Sequence, residues 1–170
     1  YNVMGNHDMN YDATSDILSD ETFQQNFGLA NLAFNYGDAH FVILDNILYP
    51  DPRGGKGYWA GYREDQLRFL ENNLKRVPKN KLIVLSQHIQ MKDNTGRSYR
   101  LEDRQRIFDL LKDFENVLIM SAHTHLQDQI EYTEIDGWQG KKPLHEYNVG
   151  TTSGDWYSGK LDERGLPDAT

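Results

Sequence analysis

The chain has 170 residues, a formal net charge of −8 and no cysteine. The acidic charge argues against a general nucleic-acid binder, and the lack of cysteine excludes disulfides and thiolate metal sites. With 38% hydrophobic residues the composition suits one globular domain, and no run approaches the roughly 18 apolar residues that a membrane span needs. Any metal must be bound by His, Asp, Glu or Asn, which suit ions such as Mn, Fe or Zn.

The first part of the chain alternates short apolar runs with polar residues. Residues 1–4 read as a strand-like run that leads into Gly5-Asn6-His7-Asp8. Residues 19–28 predict a short helix, with Ser19 as its N-cap and Gly28 as its stop. Residues 32–36 and 40–45 predict two strands joined by a hairpin.

The middle of the chain predicts two amphipathic helices around a buried strand. Residues 63–77 carry apolar side chains at helical spacing and end before Pro78. Residues 82–86 are an apolar strand that runs into Gln87-His88, and residues 101–114 form the second helix. The glycine-rich and aromatic segment 46–62 is expected to be an ordered surface loop, with the lining of a cleft as the alternative. The polar segment 89–100 is another loop.

The apolar run 117–121 predicts a further buried strand, and it leads directly into His123 and His125. If the backbone stays extended there, the i, i+2 spacing points both imidazoles the same way, as metal binding requires. The alternative is a solvated loop that carries two histidines. Residues 129–135 and 144–149 predict two more strands, and Ile135 is expected on the buried side of the first.

This order of elements predicts an α/β fold, a layered sandwich built on a mixed sheet. Strand 82–86, helix 101–114 and strand 117–121 form a βαβ-type unit, which implies parallel neighbours and a right-handed crossover. Antiparallel hairpins flank it. Residues 1–155 are expected to belong to one domain, and residues 156–170 to be a linker or the start of a following domain.

Three segments rich in metal-binding side chains each follow a short apolar run. They are Asn6-His7-Asp8, His88 and the pair His123 and His125. Because the carboxyl ends of parallel strands lie at one edge of a sheet, we expect these side chains to converge there. His40 and His145 lie at a strand start and inside a strand, and are expected to be structural.

Three motifs resemble those of the calcineurin-like metallophosphoesterases. Gly5-Asn6-His7-Asp8, Gln87-His88 and Ala122-His123-Thr124-His125 are similar to the GNH[ED], GH and GHxH motifs of that family, in the same order. The resemblance covers residues 1 to about 150. Gln87 and Ala122 stand where the family usually has glycine, a change that removes no ligand. Two earlier family motifs, D-x-H and G-D-x-x-D, have no counterpart in this sequence.

The resemblance implies hydrolysis of phosphate esters at a pair of divalent metal ions of the Mn, Fe or Zn type, within a four-layer α/β/β/α sandwich. It assigns Asn6, His88 and His123 to one metal ion and His125 to the other. His7 is the implied general acid, which protonates the leaving group. Asp8 is expected to cap the following turn, or else to orient His7. Trp156 is expected to face substrate or support the site.

The missing motifs imply that the chain is the C-terminal part of a catalytic domain, of a bacterial type with a further C-terminal domain. The fragment is expected to bind one metal ion weakly or none and to be inactive alone. A periplasmic or secreted location is the expectation from the resemblance. The alternatives are a mononuclear zinc hydrolase using His88, His123 and His125, and a non-catalytic binding module on the same fold.

Overall fold

A computed structural model describes residues 1–151 and 160–165 and contains both helices and strands. The helices are α1 (Asp16–Ser19), α2 (Glu21–Phe27), α3 (Glu64–Leu74) and α4 (Leu101–Leu111), and a 3₁₀ turn spans Glu134–Asp136. The strands are β1 (Leu32–Tyr36), β2 (Ala39–Ile43), β3 (Ile47–Leu48), β4 (Trp59–Ala60), β5 (Leu82–Ser86), β6 (Asn116–Ser121), β7 (Asp128–Tyr132) and β8 (Leu144–Asn148). The predicted α/β class is confirmed.

Six strands form one mixed sheet in the order β1-β2-β5-β6-β8-β7. Strands β2, β5, β6 and β8 are parallel neighbours, and β1 and β7 pair antiparallel at the two edges. Helix α4 connects β5 to β6, as the predicted βαβ unit requires. The carboxyl ends of the four parallel strands therefore lie at one edge of the sheet.

One face of the sheet carries the main core. Alternate residues of the central strands point to this face, where they meet the apolar stripes of α3 and α4. The buried members include Val42, Ile83, Leu85 and Ile119 from the sheet, and Leu67, Leu70, Leu74, Ile107, Phe108 and Leu111 from the helices. Each such side chain contributes roughly 1.5–3 kcal/mol through burial, so this packing fixes the sheet that positions the strand ends.

The opposite face of the sheet is also apolar but only half-buried. Phe34 and Phe41 stack there with ring centroids 5.1 Å apart, and the cross-strand register continues the row to Leu118. Met120 and Tyr147 lie beside it, both partly exposed. Sheets that are apolar on both faces are typical of layered folds, in which each face is covered.

Several predicted boundaries are wrong near the chain start. Residues 1–4 are irregular, although Met4 is completely buried, so their apolar character reflects burial and not strand pairing. The predicted helix 19–28 is two helices. Ser19 is the buried last residue of α1 and not an N-cap, because its hydroxyl donates to the Asp16 carbonyl. Asp20 occupies the N-cap position of α2 without a side-chain capping bond, and Gly28 ends the helix with a positive φ of 89°.

Other predicted boundaries shift by a few residues. Helix α3 ends at Leu74 and not at residue 77, because its last turn tightens before Pro78. Ile135 is 97% exposed and does not line the core, because the chain leaves β7 at Tyr132 and enters the 3₁₀ turn. The segment 46–62 is more ordered than a loop, since β3 and β4 pair within it.

The C-terminal part of the chain is described only in part. Trp156 and the boundary expected at residue 155 lie outside the described residues. In the described parts, no helix has both the length and the apolar character that crossing a bilayer requires.

Candidate metal centre

The candidate site lies at the carboxyl ends of β5 and β6. His88 follows β5 by two residues, and His123 follows β6 by two residues. Backbone bonds continue the parallel ladder past both strands, since Gln87 donates to the Met120 carbonyl and Ala122 donates to the His88 carbonyl. The sheet thus places the two histidines side by side, with ring centroids 5.0 Å apart.

Three donor atoms meet at this edge. The Nε2 atom of His88 lies 2.9 Å from Asn6 Oδ1 and 3.2 Å from His123 Nδ1, and His123 Nδ1 lies 3.1 Å from Asn6 Oδ1. Asn6 is 82 residues from His88 and 117 residues from His123 along the chain. This group of Asn6, His88 and His123, called the trio below, is therefore brought together by the tertiary fold.

The spacing of the trio suits coordination of one ion. Ligands that bind a metal at about 2.1 Å, at the angles of a tetrahedron or an octahedron, are roughly 3.0–3.4 Å from one another. The three donor distances fall in or next to that range. Without a metal, two ring N–H groups can donate to the single oxygen of Asn6, so hydrogen bonding also accounts for the cluster. A metal requires both nitrogens to be unprotonated.

Electrostatics favour the unprotonated rings. Burial, together with the nearby charges of His123, His7 and His125, lowers the pKa of His88 to about 4. Burial also lowers the pKa of His123, with further contributions from His125 and His7. Both rings are neutral at pH 7, the form in which imidazole binds metals.

Asn46 holds the backbone of His88 in place. Its Oδ1 accepts the backbone N–H groups of His88 and Ile89 at 3.1 and 3.0 Å, and its Nδ2 donates to the Ile89 carbonyl at 2.7 Å. Asn46 itself is completely buried. The chain turns away from β5 at this point, and Asn46 satisfies the backbone groups that the sheet no longer pairs.

The backbone at His123 and His125 is not extended, so the predicted geometry of this stretch is wrong. Both residues are left-handed, with φ of 69° and 62°. Each such non-glycine residue costs about 1 kcal/mol or more, and strained residues of this kind cluster at functional sites. The convergence of His123 with His88 comes from this tight turn and not from strand alternation.

Asn148 supports the same turn from the end of β8. Its Nδ2 donates to Thr124 Oγ1 at 2.7 Å and to the Leu126 carbonyl at 2.6 Å. Its Oδ1 accepts from Ser121 Oγ at 3.2 Å, and the residue is completely buried. These bonds offset the local strain of the turn.

The loop that carries Asn6 is closed by its own residues. The carboxylate of Asp8 accepts the backbone N–H of Gly5 at 2.8 Å, and the Tyr11 hydroxyl donates to the Asn6 carbonyl at 2.6 Å. Asp8 thus closes the turn. A Cβ at Gly5 would lie 3.2 Å from His88 Cε1, so glycine leaves room for that ring.

The Gln87 side chain, next to His88, does not block the site. The Gln87 side chain is buried, and its amide accepts from the Tyr62 hydroxyl and donates to Glu146 at 3.3 Å. Glu146 is completely buried, and burial raises the pKa of its carboxyl. Gln87 is therefore tied to the core beneath the site.

The remaining predicted residues are placed as follows. His7 is exposed next to Asn6, and its charge influences both ring pKa values of the trio, as does that of His125. The four histidines are thus brought together. His40 is buried at the start of β2 and its Nδ1 lies 2.8 Å from Asn35 Oδ1, in a structural setting.

Sequence reasoning missed Asn46 and Asn148. Asn46 closely follows an apolar run, the signal that singled out His88 and His123, whereas Asn148 ends a strand of mixed polarity. Neither lies in a motif that resembles the metallophosphoesterases, so neither was selected.

Two comparisons complete the description of the site. Among residues 1–151 and 160–165, no group of three or more His, Cys, Asp or Glu side chains is arranged to hold a metal. The trio differs from such a group in that its third member is an amide. No family model matches the chain, and no curated protein matches it either. A functional assignment therefore depends on the motifs and on the geometry of this site.

Proposed function

We propose that this chain carries part of the active site of a metal-dependent phosphate-ester hydrolase, with Asn6, His88 and His123 as ligands of one metal ion. The observation that carries the proposal is the trio of donor atoms within 3.2 Å of one another. Two of the three motifs that resemble the metallophosphoesterases supply its histidines, and the third supplies the amide.

The chemistry of the donors fits a borderline divalent ion. Two neutral imidazoles and an amide oxygen suit Mn, Fe or Zn, and none of them brings charge. When bound, divalent ions supply Lewis-acid polarisation of the ester and lower the pKa of water. The net charge of −8 is compatible with a phosphate substrate only if positive charge is supplied locally.

The protein side chains have separate tasks in this proposal. His88 and His123 stay neutral because burial and mutual repulsion disfavour their protonation. His7 is exposed next to Asn6, a position from which it could transfer a proton to a leaving alkoxide. His125 is proposed as a ligand of a second ion whose other ligands come from outside these 170 residues.

Room for such additional ligands exists beside the trio. A cavity of about 230 Å³ opens next to His88, between the ends of β5 and β6, and Val3, Ser86 and Met120 line it. Ser86 and Met120 pair across the strands on the half-buried face of the sheet. A layer that covered this face would reach the trio from this side.

The test of the proposal is metal-dependent hydrolysis by the full-length protein. We expect hydrolysis of bis-p-nitrophenyl phosphate that a chelator abolishes and that Mn²⁺ or Zn²⁺ restores. His123→Ala and Asn6→Ala should each remove it, whereas Asn26→Ala, a change on the exposed surface of α2, should not. Full activity in His123→Ala would contradict the proposal. Ordinary activity in the isolated 170-residue chain would contradict the claim that this chain carries only part of the active site.

A substrate pair tests the role of His7. A poor leaving group needs protonation in the transition state, whereas p-nitrophenolate does not. His7→Ala should therefore slow hydrolysis of phenyl esters by roughly 10²-fold or more and that of p-nitrophenyl esters much less. An equal loss for both esters would mean that His7 is not the acid.

A further inference from the structure

A large cleft lies next to the trio, on the side bounded by His123. Its volume is about 670 Å³, within the usual range of small-molecule sites. His123 and Thr124 form one wall, and Tyr58 together with parts of the segment 89–98 forms the others. The cleft therefore shares a wall with the candidate metal centre.

The walls of the cleft are held in place by the protein itself. The Asp93 carboxylate accepts the backbone N–H groups of Thr95 and Ser98 at 2.7 and 2.6 Å, and it also accepts both hydroxyls. Arg53 Nη1 donates to the Arg97 carbonyl at 2.8 Å. A preformed wall costs little conformational entropy when a ligand binds.

Two side chains give the cleft its chemical character. Tyr58 is half-buried, with its ring edge-on to His123 at a centroid distance of 6.1 Å, and Ile89 adds a buried apolar surface. Gln90 lines the cleft, and its Oε1 is shielded from water and accepts no hydrogen bond from any described residue. An unpaired buried acceptor destabilises the protein, and a ligand that donates to this oxygen would remove that cost.

The charges that line the cleft favour a neutral organic ligand over a polyanion. Lys92 is already paired with Asp128 at 2.6 Å, and Asp93 places a negative charge in the wall. Arg97 is the remaining cation among the residues that line the cleft, and it is exposed at the rim. The cleft is thus close to electrically balanced.

We propose that this cleft holds the organic group of the phosphate ester, and that it selects a group with a planar ring and a hydrogen-bond donor. Tyr58 packs against the ring, and the amide oxygen of Gln90 accepts from the donor. The assignment of this group as part of an ester rests on the proposed function, but the binding preference of the cleft does not. The two can therefore be tested separately.

The experiment uses two matched aryl ligands and the metal-free 170-residue chain. Benzamide has an amide N–H donor where acetophenone has a methyl group, and the two are otherwise similar in size and shape. Dissociation constants are measured by NMR titration, with the resonances of Tyr58 and His123 as the local readout. We expect the benzamide to bind at least about fivefold more tightly.

Variants assign the effect to individual side chains. Gln90→Met keeps the shape of the side chain and should abolish the difference between benzamide and acetophenone. Tyr58→Leu should weaken both by roughly threefold to tenfold, the value of one aromatic contact. Tyr36→Leu, a change of a residue 79% exposed at the sheet edge, should alter neither.

Each outcome decides the proposal. Equal affinity of the two aryl ligands for the wild type, or a preference that persists in Gln90→Met, would overturn it, as would the lack of any binding in the millimolar range. The assay of metal-dependent hydrolysis by the full-length protein distinguishes the two inferences. Metal-dependent hydrolysis without aryl binding would refute only the cleft, and aryl binding without metal-dependent hydrolysis would refute only the proposed function.

Discussion

Replacing Asn46 with alanine should destabilise the protein and loosen the candidate metal centre together. The substitution removes three buried hydrogen bonds to the backbone of His88 and Ile89. Each buried hydrogen bond contributes about 1 kcal/mol net, and an orphaned backbone group costs about 1–3 kcal/mol. Because three such bonds are lost, we expect the free energy of unfolding to fall by about 3 kcal/mol.

The assay is urea unfolding followed by tryptophan fluorescence, with the slope m used to check that both proteins unfold in two states. The matched control is Asn26→Ala, which removes one exposed bond to the Thr22 carbonyl and should cost less than about 0.5 kcal/mol. Below the unfolding transition, Asn46→Ala should also weaken Mn²⁺ binding by roughly tenfold, as loss of supporting contacts does at other metal sites. A loss of stability no larger than that of Asn26→Ala would refute the role of Asn46.

Three further predictions concern the stability of the protein and the supports of the site. Burial, followed by the charge of Asp16, raises the pKa of Asp45 to about 8. Between about pH 4 and 8 the folded protein therefore keeps a proton that the unfolded chain has released. The free energy of unfolding should fall across this range by up to about 1.4 kcal/mol per pH unit. Asp45→Asn should flatten that dependence in urea unfolding near pH 5 and pH 8, and an unchanged slope would contradict it. Gly5→Ala should crowd the His88 ring and weaken Mn²⁺ binding by roughly tenfold with little loss of stability. An unchanged Mn²⁺ affinity in an NMR titration would contradict this prediction, since it would show that the ring can move aside. Asn148→Ala should lower the melting temperature and speed amide hydrogen exchange in residues 123–126. Equal exchange rates in the wild type and the variant would show that the turn does not depend on Asn148.

The sheet could be predicted from the sequence because its central strands are strongly apolar. Segments β5 and β6 read correctly as strands, although β6 is buried on one face only, and the intervening helix α4 carries its apolar residues at helical spacing. Together they predicted a parallel βαβ unit, and the structure confirms it. Regular apolar patterns predict secondary structure well because burial outweighs the local conformational preferences of single residues.

The start of the chain shows where this reasoning fails. Residues 1–4 look like a strand because Val3 and Met4 are apolar, yet they pair with no strand of the described residues. Met4 is buried all the same. A short apolar run reports burial and not the conformation that achieves it, so Asn6 reaches the sheet edge through a loop.

The candidate site was predicted in its members but not in its geometry. The expectation that His88 and His123 converge with Asn6 agrees with the distances, but the left-handed turn at His123 could not be inferred from spacing. That turn depends on Asn148, which is far from it in sequence. Long-range side-chain bonds of this kind leave no local pattern, and this is why sequence reasoning found the candidate ligands and missed the residues that support them.

The most direct test of the metal centre is paramagnetic NMR of the 170-residue chain with substoichiometric Mn²⁺. Broadening reports the position of the ion even when binding is weak. The account predicts that resonances of Asn6, His88 and His123 broaden first, and that His123→Ala removes this pattern while Asn26→Ala keeps it. Broadening centred on exposed carboxylates elsewhere, or an identical pattern in wild type and His123→Ala, would contradict the assignment of the trio as metal ligands.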